Sequence, residues 1–317
     1  MRAGELTFTG PHTFFKAPYL PLEATWEADV ALLGLPYDFA VGFRPGARFA
    51  PSAIREASAR YAFHPEEGLF DPERGPRLRE VRVVDAGDVD PAQLEYQESF
   101  RRITEAARAL RSRVRLPVFV GGDHSITLPV LRAYAGEPLY VVQLDAHLDF
   151  SDQRHGTRYS NSSPFRRAVE ELPGLQGITC IGLRGLRVSP EAYRAAKERG
   201  HVLVSAQEVR RNVEAVKPLL PRGQRVYVSV DVDVLDPALL PGTSSPEVEG
   251  LSYGETLALL EGDRAERAYR CGPGRAGPQP GPHRPFLLGG RPPSGRGPRP
   301  LVGQGLRLRG PPLPLPG

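Results

Sequence analysis

The sequence predicts an α/β protein in which a parallel sheet is covered by helices on both faces. Three observations carry that expectation. Apolar runs of strand length alternate with amphipathic stretches of helix length across residues 26–262. The runs are apolar at consecutive positions, as in Asp29 to Leu35 (DVALLGL), so both faces of each strand are buried. Strands separated by helices, rather than by tight turns, pair in parallel.

Each element has its own signal. Asp29 to Leu35 reads as a buried strand, and Pro51 opens a helix to about Tyr61 from a first-turn position where proline is tolerated. Val81 to Val84 is a short strand, followed by a long helix over Gln93 to Arg113. Strands at Leu116 to Val120, Leu139 to Leu144 and Ile178 to Leu183 follow, with a helix over Ile126 to Tyr134 between the first two. Helices over Pro190 to Arg199 and Ala206 to Leu220 flank a strand at Val202 to Val204. Arg225 to Val230 is a strand, and Ser252 with Glu255 forms the capping pattern that starts a helix to Glu261.

The alternation stops near Gly262. Residues 271–317 hold 12 Gly, 13 Pro and 7 Arg, with no Lys, Asp or Glu. That composition cannot build a core and predicts a disordered segment without further strands or helices. The chain therefore divides into an ordered domain over 1–262 and an aberrant tail over 263–317. The division reverses the charge. The 317 residues carry 41 Lys+Arg against 37 Asp+Glu, a net +4. Without the 7 tail arginines, 34 basic residues face 37 acidic ones, a net −3. A nucleic-acid-binding surface is excluded on that arithmetic. No apolar run approaches the ~18 residues of a membrane span, and the N-terminus lacks the apolar core of a secretory signal, so no membrane partner and a cytoplasmic location are expected. The two cysteines, Cys180 and Cys271, form no CxxC, which excludes a disulfide scaffold and a cysteine-rich zinc site.

Three strand ends concentrate His and Asp: Gly121 to Ser125 (GGDHS), Asp145 to Asp149 (DAHLD), and Ser229 to Pro237 (SVDVDVLDP). In a parallel sheet the carboxyl ends of the strands share one edge, where ligands bind. Asp145, His147 and Asp149 lie two apart, as do Asp231 and Asp233, so each extended segment turns its ligands to one side. Four carboxylates with His124 and His147 are too much negative charge to bury without cations. Two divalent ions would neutralise them, and an oxygen-rich set with some imidazole suits Mn²⁺ better than structural zinc. His12, His64, His201 and His283 lack this context.

These motifs, in this order, resemble the three signatures of the ureohydrolase (arginase/agmatinase) family. The resemblance extends to Gly46 to Pro51 with Ile54 and Arg55, and to Gly242 to Pro246. It implies a three-layer α/β/α sandwich around a central parallel sheet, hydrolysis of a guanidinium compound to urea and an amine, and two Mn²⁺ per chain. By position, His124, Asp145, Asp149 and Asp231 would bind one ion. Asp145, His147, Asp231 and Asp233 would bind the other, with a bridging hydroxide as nucleophile. Residues Arg158 to Arg167 resemble the agmatinase branch, which makes agmatine the expected substrate and polyamine synthesis the context. N1-aminopropylagmatine, guanidinobutyrate, arginine and a formimino compound are the alternatives. Asn161 stands where many agmatinases have a proton-shuttling His and is a candidate substrate contact. His155, in the same loop, is either a substitute shuttle or an exposed loop residue. Arg158, Arg166 and Arg167 read as surface or helix-start residues. The resemblance also implies a homo-oligomer. The family's last strand, with its guanidinium-binding Glu, and its last helix have no counterpart in 263–317, as a reading-frame change in GC-rich DNA would leave it.

Overall fold

The computed structural model describes residues 6–61, 66–92, 94–262 and the backbone of 286–289. Ten strands are β1 (Ala28–Leu35), β2 (Leu69–Asp71), β3 (Gly75–Arg77), β4 (Val83–Asp88), β5 (Val114–Gly121), β6 (Leu139–Leu144), β7 (Leu175–Leu183), β8 (Val202–Ser205), β9 (Val226–Asp231) and β10 (Phe286–Gly289). Eight of them form one sheet in the order β4-β1-β5-β10-β9-β6-β7-β8, and every pairing in it is parallel. β2 and β3 make a separate antiparallel hairpin. The helices are α1 (Ala50–Ser58), α2 (Tyr96–Arg113), α3 (Thr127–Arg132), α4 (Pro164–Glu171), α5 (Pro190–Glu198), α6 (Ala206–Arg211), α7 (Val213–Val216) and α8 (Tyr253–Glu261).

Period-two alternation divides each buried strand between two cores. On β6, Val141 joins the core under α2 to α5, with Phe100, Ile103, Leu128, Phe165 and Ala196. Its neighbours Val142 and Leu144 join the opposite core, with Val209, Val216 and Leu259 of α6, α7 and α8. On β5, Phe119 faces the first core, while Val118 and Val120 pack with Ile54 of α1. Three layers follow, as expected. Arg55 ties α1 to the sheet through two ion pairs: its Nε donates to the buried Asp85 at 2.7 Å and its Nη1 to the exposed Asp88 at 2.8 Å.

Three differences from expectation have physical causes. The helix expected over 206–220 breaks at Asn212, whose extended backbone lets its side chain cap α7, and Pro218 then confines the remainder to a 3₁₀ turn. The β2–β3 hairpin, with three residues in each strand, is too short to show a sequence period, and α4 is a further helix, opened by Pro164 and burying Phe165 and Ala168. The third lies within the tail. The tail contains a strand that its composition did not predict. Phe286–Gly289 lies between β5 and β9, with Leu287 opposite Phe119 on one side and Ser229 on the other. A strand with a parallel partner on each side is held by its own backbone hydrogen bonds, and the short run FLLG supplies them. Residues 263–285 and 290–317 lie outside the described residues.

His201 is buried edge-on against Phe150, with ring centroids 4.9 Å apart. Burial, aided by Arg199, pushes it down from 6.5 to about 4. The unfolded chain therefore binds more protons between those values. The stability this neutral ring confers is present above pH ~6.5 and is lost as pH falls towards 4. His201→Leu is expected to flatten the dependence of the denaturation midpoint on pH across that window.

Candidate metal centre

The carboxyl ends of β5, β6 and β9 open on one edge of the sheet, and each runs into one motif. After β5 the chain must pass close to the loop following β1. A Cβ on Gly122 would lie 1.8 Å from the Tyr37 carbonyl oxygen, so glycine is required. Asp123 then starts a 3₁₀ turn, its Oδ1 accepting from the Ser125 N–H at 2.8 Å, and the turn delivers His124 inward. After β6, Asp145 accepts from the His147 N–H at 2.6 Å. Asp149 adopts a left-handed backbone with φ 46°, uncommon outside glycine. After β9, Asp231 accepts from the Asp233 N–H at 3.0 Å, capping the turn that presents Asp233.

The six side chains converge. His124 Nδ1 lies 2.9 Å from Asp149 Oδ2, 3.2 Å from Asp145 Oδ2 and 3.3 Å from Asp231 Oδ2. His147 Nδ1 lies 3.0 Å from Asp233 Oδ2 and 3.7 Å from Asp145 Oδ1. Donor atoms of His124, Asp145 and Asp231 all fall within 4.8 Å of one another, and so do those of Asp145, His147 and Asp233. Asp145, fully buried, belongs to both groups. Each imidazole turns Nδ1 inward and Nε2 towards a neighbour: His124 Nε2 meets Ser229 Oγ at 2.9 Å, and His147 Nε2 faces Glu247 Oε1 at 3.5 Å. Gln143 donates to Asp145 Oδ2 at 2.7 Å, and the Ala146 N–H to Asp233 Oδ1 at 3.1 Å.

The electrostatics are those of a site that requires positive charge. Burial pushes Asp145 and Asp149 above the ordinary carboxylate range, with Asp231 adding to both. Burial, with Asp231 and Asp145, raises Asp233 to about 8. Burial acts the same way on Asp231, but the facing His124, with the Asp233 N–H and His147, outweighs it and the net shift is downward. Burial opposes protonation of both histidines and is overcome by the facing carboxylates, which hold His124 well above its ordinary value and His147 at about 10. Protons thus fill the role that cations can take over. His124 Nδ1 is buried without an aligned hydrogen bond, although three carboxylate oxygens lie within 3.3 Å. That is the geometry of ligands around a centre rather than of a hydrogen-bonded pair.

A cavity of about 840 Å³ opens over the cluster. Asn161 lines it. His155 is exposed and is not among the lining residues; its ring packs on Gly42, where a Cβ would lie 2.5 Å from Nε2. Arg158 and Arg167 pair with Glu170 and Asp152, and Arg166 pairs with Glu170, as residues with structural rather than ligand-binding partners do.

Two neighbours of the site carried no sequence motif. Glu247 faces His147, as described. Arg184 follows β7, whose carboxyl end lies on the same edge, and this position was its only signal. Its Nη2 donates to the carbonyls of Asp233 at 2.6 Å and Glu247 at 2.9 Å, and its Nη1 to that of Val234 at 3.2 Å. One guanidinium thereby fixes the backbone of both loops. Arg184→Ala is expected to lower unfolding stability by about 2–4 kcal/mol, because buried carbonyls lose a charged donor. The denaturant midpoint measures it.

Comparison with known proteins agrees with this architecture. Residues 28–269 match the model of the arginase family. The chain is 34% identical to a mitochondrial guanidino acid hydrolase of Homo sapiens over 80% of this chain and 72% of that protein. It is 34% identical to a mitochondrial agmatinase of Gallus gallus over 80% and 75%. The solved proclavaminate amidino hydrolase of Streptomyces clavuligerus superposes with a TM-score of 0.72 and 31% identity, covering 89% of each chain. With the sheet, the three strand-end motifs and these relatives in agreement, the chain belongs to the arginase family.

Proposed function

We propose that this arginase-family hydrolase cleaves a guanidinium compound to urea and an amine, with two Mn²⁺ as resident ions. The observation that carries the reading is the convergence of two histidines and four aspartates from three strand ends, with one carboxylate common to two donor groups. The inward, unbonded Nδ1 of His124 and the proton-retaining carboxylates fit divalent cations. His124, Asp145, Asp149 and Asp231 would hold one ion; Asp145, His147, Asp231 and Asp233 would hold the other. Oxygen-rich ligation with two imidazoles favours Mn²⁺ over structural zinc. When bound, such a pair of ions acidifies a water at the cavity floor and polarises the substrate.

The chain's own residues do the positioning. Ser229 steadies the His124 imidazole and Gln143 orients Asp145, while Glu247 faces His147 at 3.5 Å. Asn161 offers an amide to the substrate but cannot pass it a proton. Urea release from a panel of guanidines tests the reading, with metal-stripped protein and after Mn²⁺ reloading. Urea is expected only from reloaded protein. Protein that binds two ions and releases urea from no guanidine overturns it.

We also propose that 263–317 is the product of a changed reading frame. The loss of every acid after Cys271 and the dominance of Gly, Pro and Arg support it. The chain then lacks the carboxylate that the family resemblance places on the last strand, and turnover is expected to be weak. Resequencing the gene decides it: an uninterrupted frame encoding these residues, with their peptides found in the protein, rejects the proposal.

A further inference from the structure

The charged groups lining the cavity sort by depth. Its carboxylates are Asp123, Asp149, Asp231 and Asp233, all at the strand ends that form the floor. Its cationic side chains, apart from the two site histidines, are Arg44, Arg154 and Arg187, from three different loops. All three arginines are exposed, and among the described residues none forms an ion pair with a carboxylate. Their neighbours differ: Arg48 pairs with Asp38, Arg158 with Glu170, and Arg167 with Asp152. Arg44 rests on the Phe43 ring, 4.9 Å from its centroid. Ser189 and Ala192, at the amino end of α5, line the same cavity beside Arg187 and add the positive end of a helix to the mouth. Among the described residues, no Asp or Glu lines the cavity away from the floor.

We propose that the substrate is a guanidino acid, with its guanidinium at the aspartate floor and its far carboxylate among Arg44, Arg154 and Arg187. This rests on the hydrolase reading above and narrows it. A guanidine ending in an ammonium group would place that charge among three unneutralised guanidiniums, whereas a carboxylate is the counter-ion they lack. The names of the relatives divide between agmatinase and guanidino acid hydrolase. The cavity mouth favours the acid over the agmatine that the motif resemblance alone suggests. The reaction balances as water plus guanidino acid giving urea plus an ω-amino acid. A C–O bond forms at the guanidinium carbon, its C–N bond to the chain nitrogen breaks, and that nitrogen leaves protonated.

The test compares 4-guanidinobutyrate with agmatine, which are matched in length, on the full chain loaded with Mn²⁺. Urea release and calorimetric binding are both read. The acid is expected to be preferred by ~10-fold or more, since three exposed charges each contribute only a few-fold. Arg44→Gln, Arg154→Gln and Arg187→Gln are each expected to raise KM for the acid a few-fold and to tighten agmatine binding, because each removes one charge that attracts a carboxylate and repels an ammonium. Added salt is expected to narrow the preference. Tighter binding or faster turnover of agmatine overturns the proposal, as does an equal effect of the arginine substitutions on both compounds. If neither compound yields urea, the hydrolase reading fails on its own and binding still decides. Tighter binding of the acid upholds the arginine site, and equal or absent binding of the acid rejects it.

Discussion

Asp145→Asn is expected to cut urea release by at least ~10³-fold and to remove the bound metal, since this carboxylate serves both donor groups. Asparagine keeps the shape but loses the charge and one acceptor oxygen. Gln143 Nε2 and the His147 N–H both donate to the aspartate, so one of these bonds is lost as well. A merely structural role predicts a different pattern. Burial already opposes the Asp145 anion, as do Asp149 and Asp231. The metal-stripped variant should therefore melt no lower than metal-stripped wild type. A variant that melts several degrees lower but retains its metal would show that Asp145 holds the fold rather than ions.

Ending the chain after Gly262 is expected to lower the melting temperature by about 10 °C or more, or to leave the protein insoluble. β10 separates β5 from β9, so its removal leaves backbone groups unpaired on two central strands. It also divides the sheet into β4-β1-β5 and β9-β6-β7-β8. His124 follows the first group, while Asp145, His147, Asp149, Asp231 and Asp233 follow the second. One strand thus bears on both stability and the site. Leu288→Pro is the sharper test, because it removes a ladder N–H without shortening the chain. A truncated chain that is soluble and melts with the full-length protein would show that β10 contributes nothing.

The site was legible because its signal is local. Two-residue spacing of Asp and His directly after an apolar strand survives in sequence, and a parallel sheet then brings separate strand ends to one edge. β10 was illegible for the opposite reason. Its four residues are surrounded by Gly and Pro, and its partners Val118–Gly121 and Val228–Asp231 lie far back in the chain. The break at Asn212 depends on a capping bond that helical periodicity does not register. Arg184 and Glu247 act through backbone carbonyls and ring orientation, which no motif encodes. Arg44, Arg154 and Arg187 share a cavity only after three loops are placed, and His155 lies against Gly42, outside the residues that line it.

Metal content is the measurement closest to the central claim. Full-length protein is stripped with chelator, reconstituted with Mn²⁺, passed through a desalting column and subjected to elemental analysis. Two ions per chain are expected for wild type and none for Asp145→Asn. Wild-type protein that retains one ion or none would contradict a dinuclear centre built from His124, Asp145, His147, Asp149, Asp231 and Asp233.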